Sequence, residues 1–131
     1  MAHTTAATTV REFLAAYLSG DLDTARSMVR DDFSFAAPLL DVPGSKETFF
    51  AGSHDKVGLV RSFRVVRQWE DGDTVSTVYE IDVVTPAGEA SMPMHETHTV
   101  RDGRLAPTMM SFDTGAPAAR LLHEAIASSR D

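Results

Sequence analysis

No cysteine occurs in the 131-residue chain. That excludes disulfide staples, thiol nucleophiles and thiolate metal sites together. Positive charge is also scarce: 12 lysines and arginines face 19 aspartates and glutamates, a formal net charge of −7. Wrapping nucleic acid or holding an anionic membrane needs the opposite balance, so neither partner is expected. No apolar run approaches the roughly 18 residues of a spanning helix. The opening Met1-Ala2-His3-Thr4-Thr5 has no basic cluster ahead of an apolar stretch. No secretory leader is therefore expected, and the cytoplasm is the expected compartment. Gly44, Gly52 and Gly58 lack the spacing of a phosphate-binding loop.

What is present describes a folded domain. Hydrophobic residues make up 43% and charged residues 24%, a globular balance rather than that of a disordered tail. The length suits one domain, taken as residues 1–131. Val10, Phe13, Leu14, Tyr17 and Leu18 form one apolar stripe of 3.6-residue period, which predicts a first helix. Thr9 followed by Glu12 has capping-box spacing at its start, and Gly20 is a natural stop. Asp21 is placed to cap a short second helix. Phe33 to Ala37 alternates as a short strand, halted by Pro38. A loop from Leu39 to Gly44 follows, and Ser45 is placed to cap a third helix with Phe49 and Phe50 inward.

From Ser62 the period drops to two. Phe63, Val65 and Trp69 begin a strand, and Asp71-Gly72-Asp73 reads as a hairpin turn. Val75, Thr77, Tyr79, Ile81 and Val83 share a face of the next strand. Met92, Met94, Glu96, His98 and Val100 share a face of the third, with His95, Thr97 and Thr99 opposite. Arg101 to Arg104 turns into a last strand carrying Ala106, Thr108, Met110 and Phe112 on one face. Pro107 suggests a bulge or an edge there. Pro117, Leu121, Leu122, Ala125 and Ile126 predict a terminal helix. Helices beside a four-strand meander make an α+β domain, expected to be a curved antiparallel sheet wrapped around helices.

Three stretches resemble the nuclear transport factor 2-like superfamily, in its SnoaL-like, polyketide cyclase branch. Phe13 to Asp23 is similar to the family's helix-turn-helix opening, Asp31 to Phe35 to its first strand, and Val100 to Leu105 with Ser111 to Asp113 to its final hairpin. The resemblance covers roughly residues 8 to 115. It implies a cone-shaped barrel enclosing a hydrophobic pocket, and a homodimer formed through the outer face of the sheet. Its members include isomerases, cyclases, dehydratases, hydrolases and plain binders, so the fold does not fix the chemistry. The base of the ketosteroid isomerases falls on Ala37 and their tyrosine donor on Phe13, with Tyr17 one turn on. Their second acid falls at or near Glu96. The epoxide hydrolase pattern is nearest at Glu80 to Asp82, with Met110 at the last position and its arginine missing. Both mechanisms are therefore incomplete here.

Glu96 and His98 are the sharpest local signal. On one strand face they stand about 7 Å apart along the pleat, a carboxylate and an imidazole suited to general acid–base work. The opposite reading turns them outward and makes His95 the inner residue. Tyr79 joins them as a third catalytic candidate, and Tyr79 or Tyr17 could polarise a ligand carbonyl, although each also fits an ordinary core stripe. Tyr17, Phe33, Phe35, His54, Trp69, Met94, Met110 and Phe112 are the ligand-wall candidates. His54 is equally at home at a solvated helix start, and Trp69 in packing or a dimer face. A closed metal site needs about four ligands, so no metal is expected at Glu96, His98 and His54, and no organic cofactor is implied. The expected partner is a small hydrophobic molecule.

Overall fold

The computed structural model describes residues 5–36, 44–51, 53–85 and 88–111, apart from the side chains of residues 54–56, 85, 110 and 111. The expected terminal helix, the loop from Leu39 to Pro43 and the Pro86-Ala87 turn lie outside the described residues.

Helix α1 runs over Ala6–Leu18, with Val10, Phe13, Leu14, Tyr17 and Leu18 buried along its stripe. It begins earlier than the expected Thr9. The Thr5 hydroxyl caps it, accepting the Thr8 N–H at 3.1 Å. The Thr9 hydroxyl instead donates to the Thr5 carbonyl at 3.2 Å. Ala6 and Ala7 explain the shift: they are strong helix formers and pack partly against the core. Gly20, at φ +90°, ends the segment. Helix α2 spans Leu22–Ser27 under an Asp21 cap. Strand β1 is Ser34–Ala36 and β2 is Gly44–Ser45. Helix α3, Lys46–Ala51, starts where the Ser45 hydroxyl accepts the Thr48 N–H at 3.2 Å. Helix α4 is Ser53–Gly58. The meander follows as β3 (Val60–Asp71), β4 (Thr74–Thr85), β5 (Gly88–Arg101) and β6 (Arg104–Ser111).

The six strands form one curved sheet in the order β2-β1-β6-β5-β4-β3. The sheet is mixed, which corrects the expectation of a wholly antiparallel one. β1 runs parallel to β6, pairing Phe35 with Thr108. No hairpin joins these two strands, so no turn forces them to run in opposite directions. Nor does the sheet close into a barrel, since β2 and β3 remain as edges. Helix α1 packs across β3, β4 and β5. β4 and β5 alternate strictly: Val75, Tyr79, Ile81 and Val83 from one, and Met92, Met94 and Val100 from the other, are buried on the inner face. Among the described residues no helix is long and apolar enough to cross a membrane.

Two irregularities decide which residues face inward. The register of β3 against β4 slips between Val65 and Arg67. A bulge of this kind reverses the side-chain parity beyond it. Phe63 and Val65 pack against the core. Beyond the bulge, Gln68 takes the inner place, donating to the Thr77 hydroxyl at 3.0 Å and to the Ala7 carbonyl at 3.2 Å. Trp69 is thereby turned outward and is 51% exposed, with the Arg67 guanidinium 5.6 Å from its ring centre. This corrects the placement of Trp69 on the ligand wall. The second slip lies between β5 and β6, at His98 and Val100. It falls beside the exposed Pro107, which sits in an internal strand and not at an edge. The outer face carries the cross-strand pairs Arg64–Glu80 at 2.7 Å and Arg61–Glu89 at 2.8 Å.

Gly44 sets a close approach. A Cβ there would stand 2.5 Å from the Phe35 ring, itself packed 4.9 Å from Phe49. Gly44→Ala should therefore destabilise the protein by about 1–3 kcal/mol. Urea unfolding checks this, and an unchanged midpoint would refute it.

Candidate functional site

The alternation of β5 carries two ionisable side chains into the interior. Glu96 is 4% exposed and His98 1%. His98 Nε2 lies 3.0 Å from Glu96 Oε1. The other carboxylate oxygen, Oε2, accepts the Tyr79 hydroxyl. β4 supplies that tyrosine because Thr77 is the direct partner of Glu96 and Met94 that of Tyr79. The phenol thus reaches Glu96 along the diagonal of the ladder. A buried carboxylate is tolerated when charge-assisted hydrogen bonds replace its water, and here both oxygens are so engaged. Burial, then the Glu96 charge, push the Tyr79 phenol well above its usual range, and the hydrogen bond and nearby Tyr17 add to this.

A second polar group meets the first from the helical side. The Tyr17 hydroxyl lies 2.9 Å from that of Ser53, which donates to the Phe49 carbonyl at 2.8 Å. A serine has one hydroxyl hydrogen, so Tyr17 is the donor to Ser53. Both phenolic hydrogens are thus turned towards protein acceptors, and the two hydroxyls orient their neighbours.

One atom of the cluster stands apart. His98 Nδ1 is buried with no hydrogen-bond partner among the described residues. Leaving such an atom unpaired costs about 1–3 kcal/mol. Nε2 is the nitrogen turned to the carboxylate, so Nδ1 is the ring atom left for another group to meet. The Phe13 ring stands edge-on at 6.2 Å, and the strand neighbours are Val75 and Thr108.

An aromatic wall continues from there. Tyr17 stacks on Phe13 at 5.6 Å and on Phe49 at 5.0 Å. Phe49 meets Phe35 at 4.9 Å, Phe33 at 5.3 Å and Phe50 at 5.1 Å. The structure therefore gathers Glu96, His98, Tyr79, Tyr17, Phe33, Phe35 and Met94 into one interior. His95 lies on the opposite, exposed side of β5. His54 belongs to α4, and Met110 pairs with Glu96 across β6; their side chains are not described, and Phe112 lies outside the described residues. Sequence reasoning missed Ser53 and gave Phe13 no place at the site. The i, i+4 spacing of Phe49 and Ser53, which lets a hydroxyl bond back to a carbonyl, was the available signal. Among the described residues no three His, Asp or Glu side chains gather as a metal site.

Comparison with known proteins identifies the family and the fold. The SnoaL-like domain family matches residues 10–107, and the chain belongs to that family, within the NTF2-like superfamily. Solved structures share its fold. IdmH of Streptomyces antibioticus, described as a candidate polyketide cyclase, superposes with TM-score 0.75 at 23% identity, covering 89% of this chain and 98% of its own. A protein of Kribbella flavida gives 0.71 at 22%, covering 94% and 93%. An NTF2-like protein of Cytophaga hutchinsonii gives 0.68 at 18%, covering 86% and 94%. No curated protein matches the chain in sequence.

Two predictions follow from the Tyr79–Glu96–His98 arrangement. Glu96→Ala strands two buried polar groups and should cost about 3–5 kcal/mol, with Glu96→Gln costing less; denaturant unfolding of both variants provides the comparison. The second concerns alkaline pH. A phenol whose folded pKa is raised contributes stability that is intact below about pH 10 and drains away above it. Tyr79→Phe should be less stable at neutral pH but lose stability less steeply above about pH 9. Parallel declines in urea midpoint would show that Tyr79 is not the source.

Proposed function

We propose that this protein holds a small hydrophobic molecule, polyketide- or terpenoid-like, and acts on it as a cofactor-independent isomerase, cyclase, dehydratase or hydrolase through general acid–base chemistry. The observation that carries the reading is the buried, unpartnered His98 Nδ1 backed by Glu96. In this reading Nδ1 takes a proton from the ligand, and the Glu96 carboxylate stabilises the imidazolium that forms. Tyr79 fixes Glu96 in place. Returning the proton to a different atom of the ligand completes an isomerisation. Returning it to a departing hydroxyl completes a dehydration. Tyr17, Phe33, Phe35 and Met94 enclose the ligand, and the proposed wall extends to His54, Met110 and Phe112. The family and the resemblance in fold to IdmH support the ligand class.

A second reading is binding without turnover. It is favoured by one observation: both Glu96 oxygens already have protein partners, as in a satisfied structural core. Carbon-bound hydrogen exchange separates the two. Incubated in D2O with a bicyclic ketone such as β-tetralone, the protein should accelerate deuterium uptake next to the carbonyl, as followed by NMR. His98→Gln should reduce that acceleration by about 100-fold or more. Exchange equal in the variant and the wild type would remove His98 from the chemistry, and no acceleration at all would favour the binder.

The assembly proposed with this function is a cytoplasmic homodimer joined through the outer sheet face. Trp69, Val66 and Met109 are 51%, 52% and 64% exposed there. Trp69→Glu should shift the sedimentation of the protein from two copies to one while leaving its folded spectrum intact. A wild-type protein that sediments as a single copy would refute the dimer.

A further inference from the structure

His98 is 1% exposed, so a ligand reaches it only after a covering group has moved aside. The covering elements differ in how they are held. α1 packs across three strands, and β5 is paired on both sides, with β4 and with β6. α3 and α4 have six residues each. Helices of that length are unstable by themselves and depend on what they touch. Their two ends are fixed. At the start of α3 the Lys46 ammonium donates to the Val29 carbonyl at 2.8 Å and to Asp31 at 3.3 Å. Just after α4 the Leu59 carbonyl accepts the Val84 N–H at 2.8 Å.

Between these ends lies the elbow at Ser53, which is fully buried. There the Tyr17 hydroxyl of α1 meets the Ser53 hydroxyl at 2.9 Å, and Ser53 donates to the Phe49 carbonyl at 2.8 Å. The Phe49 ring lies 5.0 Å from Tyr17 and 6.4 Å from Phe13. Phe13 is in turn the ring that stands 6.2 Å from His98. An outward swing of the elbow therefore withdraws Phe49 from the ring that covers His98.

We infer that the α3–α4 elbow is the entry to the His98 interior and that the Tyr17–Ser53 contact is its latch. The inference rests on the reading that His98 meets a ligand, and it adds the way in. A pair of neutral hydroxyls suits the task, because its net contribution is small enough to be broken often and re-formed. Short elements held in this way open locally while the rest of a fold stays intact. The contacts that Phe49 gives up are apolar, so an apolar ligand replaces them and lets the elbow close again.

Hydrogen exchange of the full chain, read by mass spectrometry, measures the opening. In the wild type the amides of residues 46–58 should exchange at least about tenfold faster than the paired amides of β4 and β5. Tyr17→Phe and Ser53→Ala each remove one side of the latch, and each should speed exchange over 46–58 by about fivefold. The double variant should be no faster than the faster single, since both lose the same contact. Diethyl pyrocarbonate then reports whether the opening leads to His98. The exposed His95 on the other side of β5 serves as the internal standard. Labelling of His98 relative to His95 should rise by about fivefold in Tyr17→Phe. If residues 46–58 are as protected as the sheet, or if neither variant speeds their exchange, the latch is overturned. Single effects that multiply in the double variant overturn it too. Faster exchange without faster labelling of His98 overturns the entry. None of these measurements uses a ligand or turnover. An elbow that opens as expected beside a failed ketone exchange removes the proposed chemistry alone, and ketone exchange with a sealed elbow removes the entry alone.

Discussion

The unbroken pairing of β4 with β5 is the constraint on which the interior depends. Twelve residue pairs run in continuous register from Thr74–Thr99 to Thr85–Gly88. A slip of one residue would exchange the two faces of a strand. It would send Glu96 and His98 outward and bring His95 and Thr97 under α1. The long ladder makes that slip costly, since every inward side chain on both strands would have to leave the core. The placement of the ionisable pair is therefore held by apolar neighbours such as Val75, Met92, Met94 and Val100, while their chemistry comes from each other.

That division of labour explains how a carboxylate survives inside, where no other aspartate, glutamate, lysine or arginine is buried among the described residues. A lone buried carboxylate would shed its charge or draw in water. Here the Tyr79 hydroxyl and the His98 ring replace the lost hydration. The arrangement uses up both oxygens of Glu96 and the phenolic hydrogen. It leaves one polar atom of the cluster, Nδ1, unpartnered. The hydroxyls of Tyr17 and Ser53 meet in a contact that fastens α1 to the break between α3 and α4. The interior thus has a supporting set of polar groups and one buried nitrogen that has no partner among the described residues.

Much of this was legible in the sequence, for identifiable reasons. The stripe of α1 and the alternation of β4 and β5 are strong because each repeats over several turns or pairs, and Glu96 and His98 could be placed inward beside Met94 and Val100 on that basis. Asp21 and Ser45 were readable as caps because their side chains act locally. What could not be read depended on distant partners. The parallel pairing of β1 with β6 has no local signature. The start of α1 fell among several threonines, each a plausible cap. The bulge at Val65–Arg67 inserts a change of phase that no hydropathy pattern announces, so Trp69 was assigned to the wrong side. Ser53 meets Tyr17 across 36 residues of sequence, so that contact became visible only with α1 in place.

The same bulge has a bearing on how this strand tolerates change in length. β3 holds two phases of alternation joined by one extra residue. Its first half presents Phe63 and Val65 to the core, and its second half presents Gln68. Removing the extra residue would exchange occupants more than it would shorten the strand. An indole would be driven towards Thr77, and the amide that grips the Ala7 carbonyl would swing into solvent. The interior and the outer face, which a side-chain substitution can alter one at a time, would change together. At this point of the chain, insertions and deletions belong to a different class of event from substitutions.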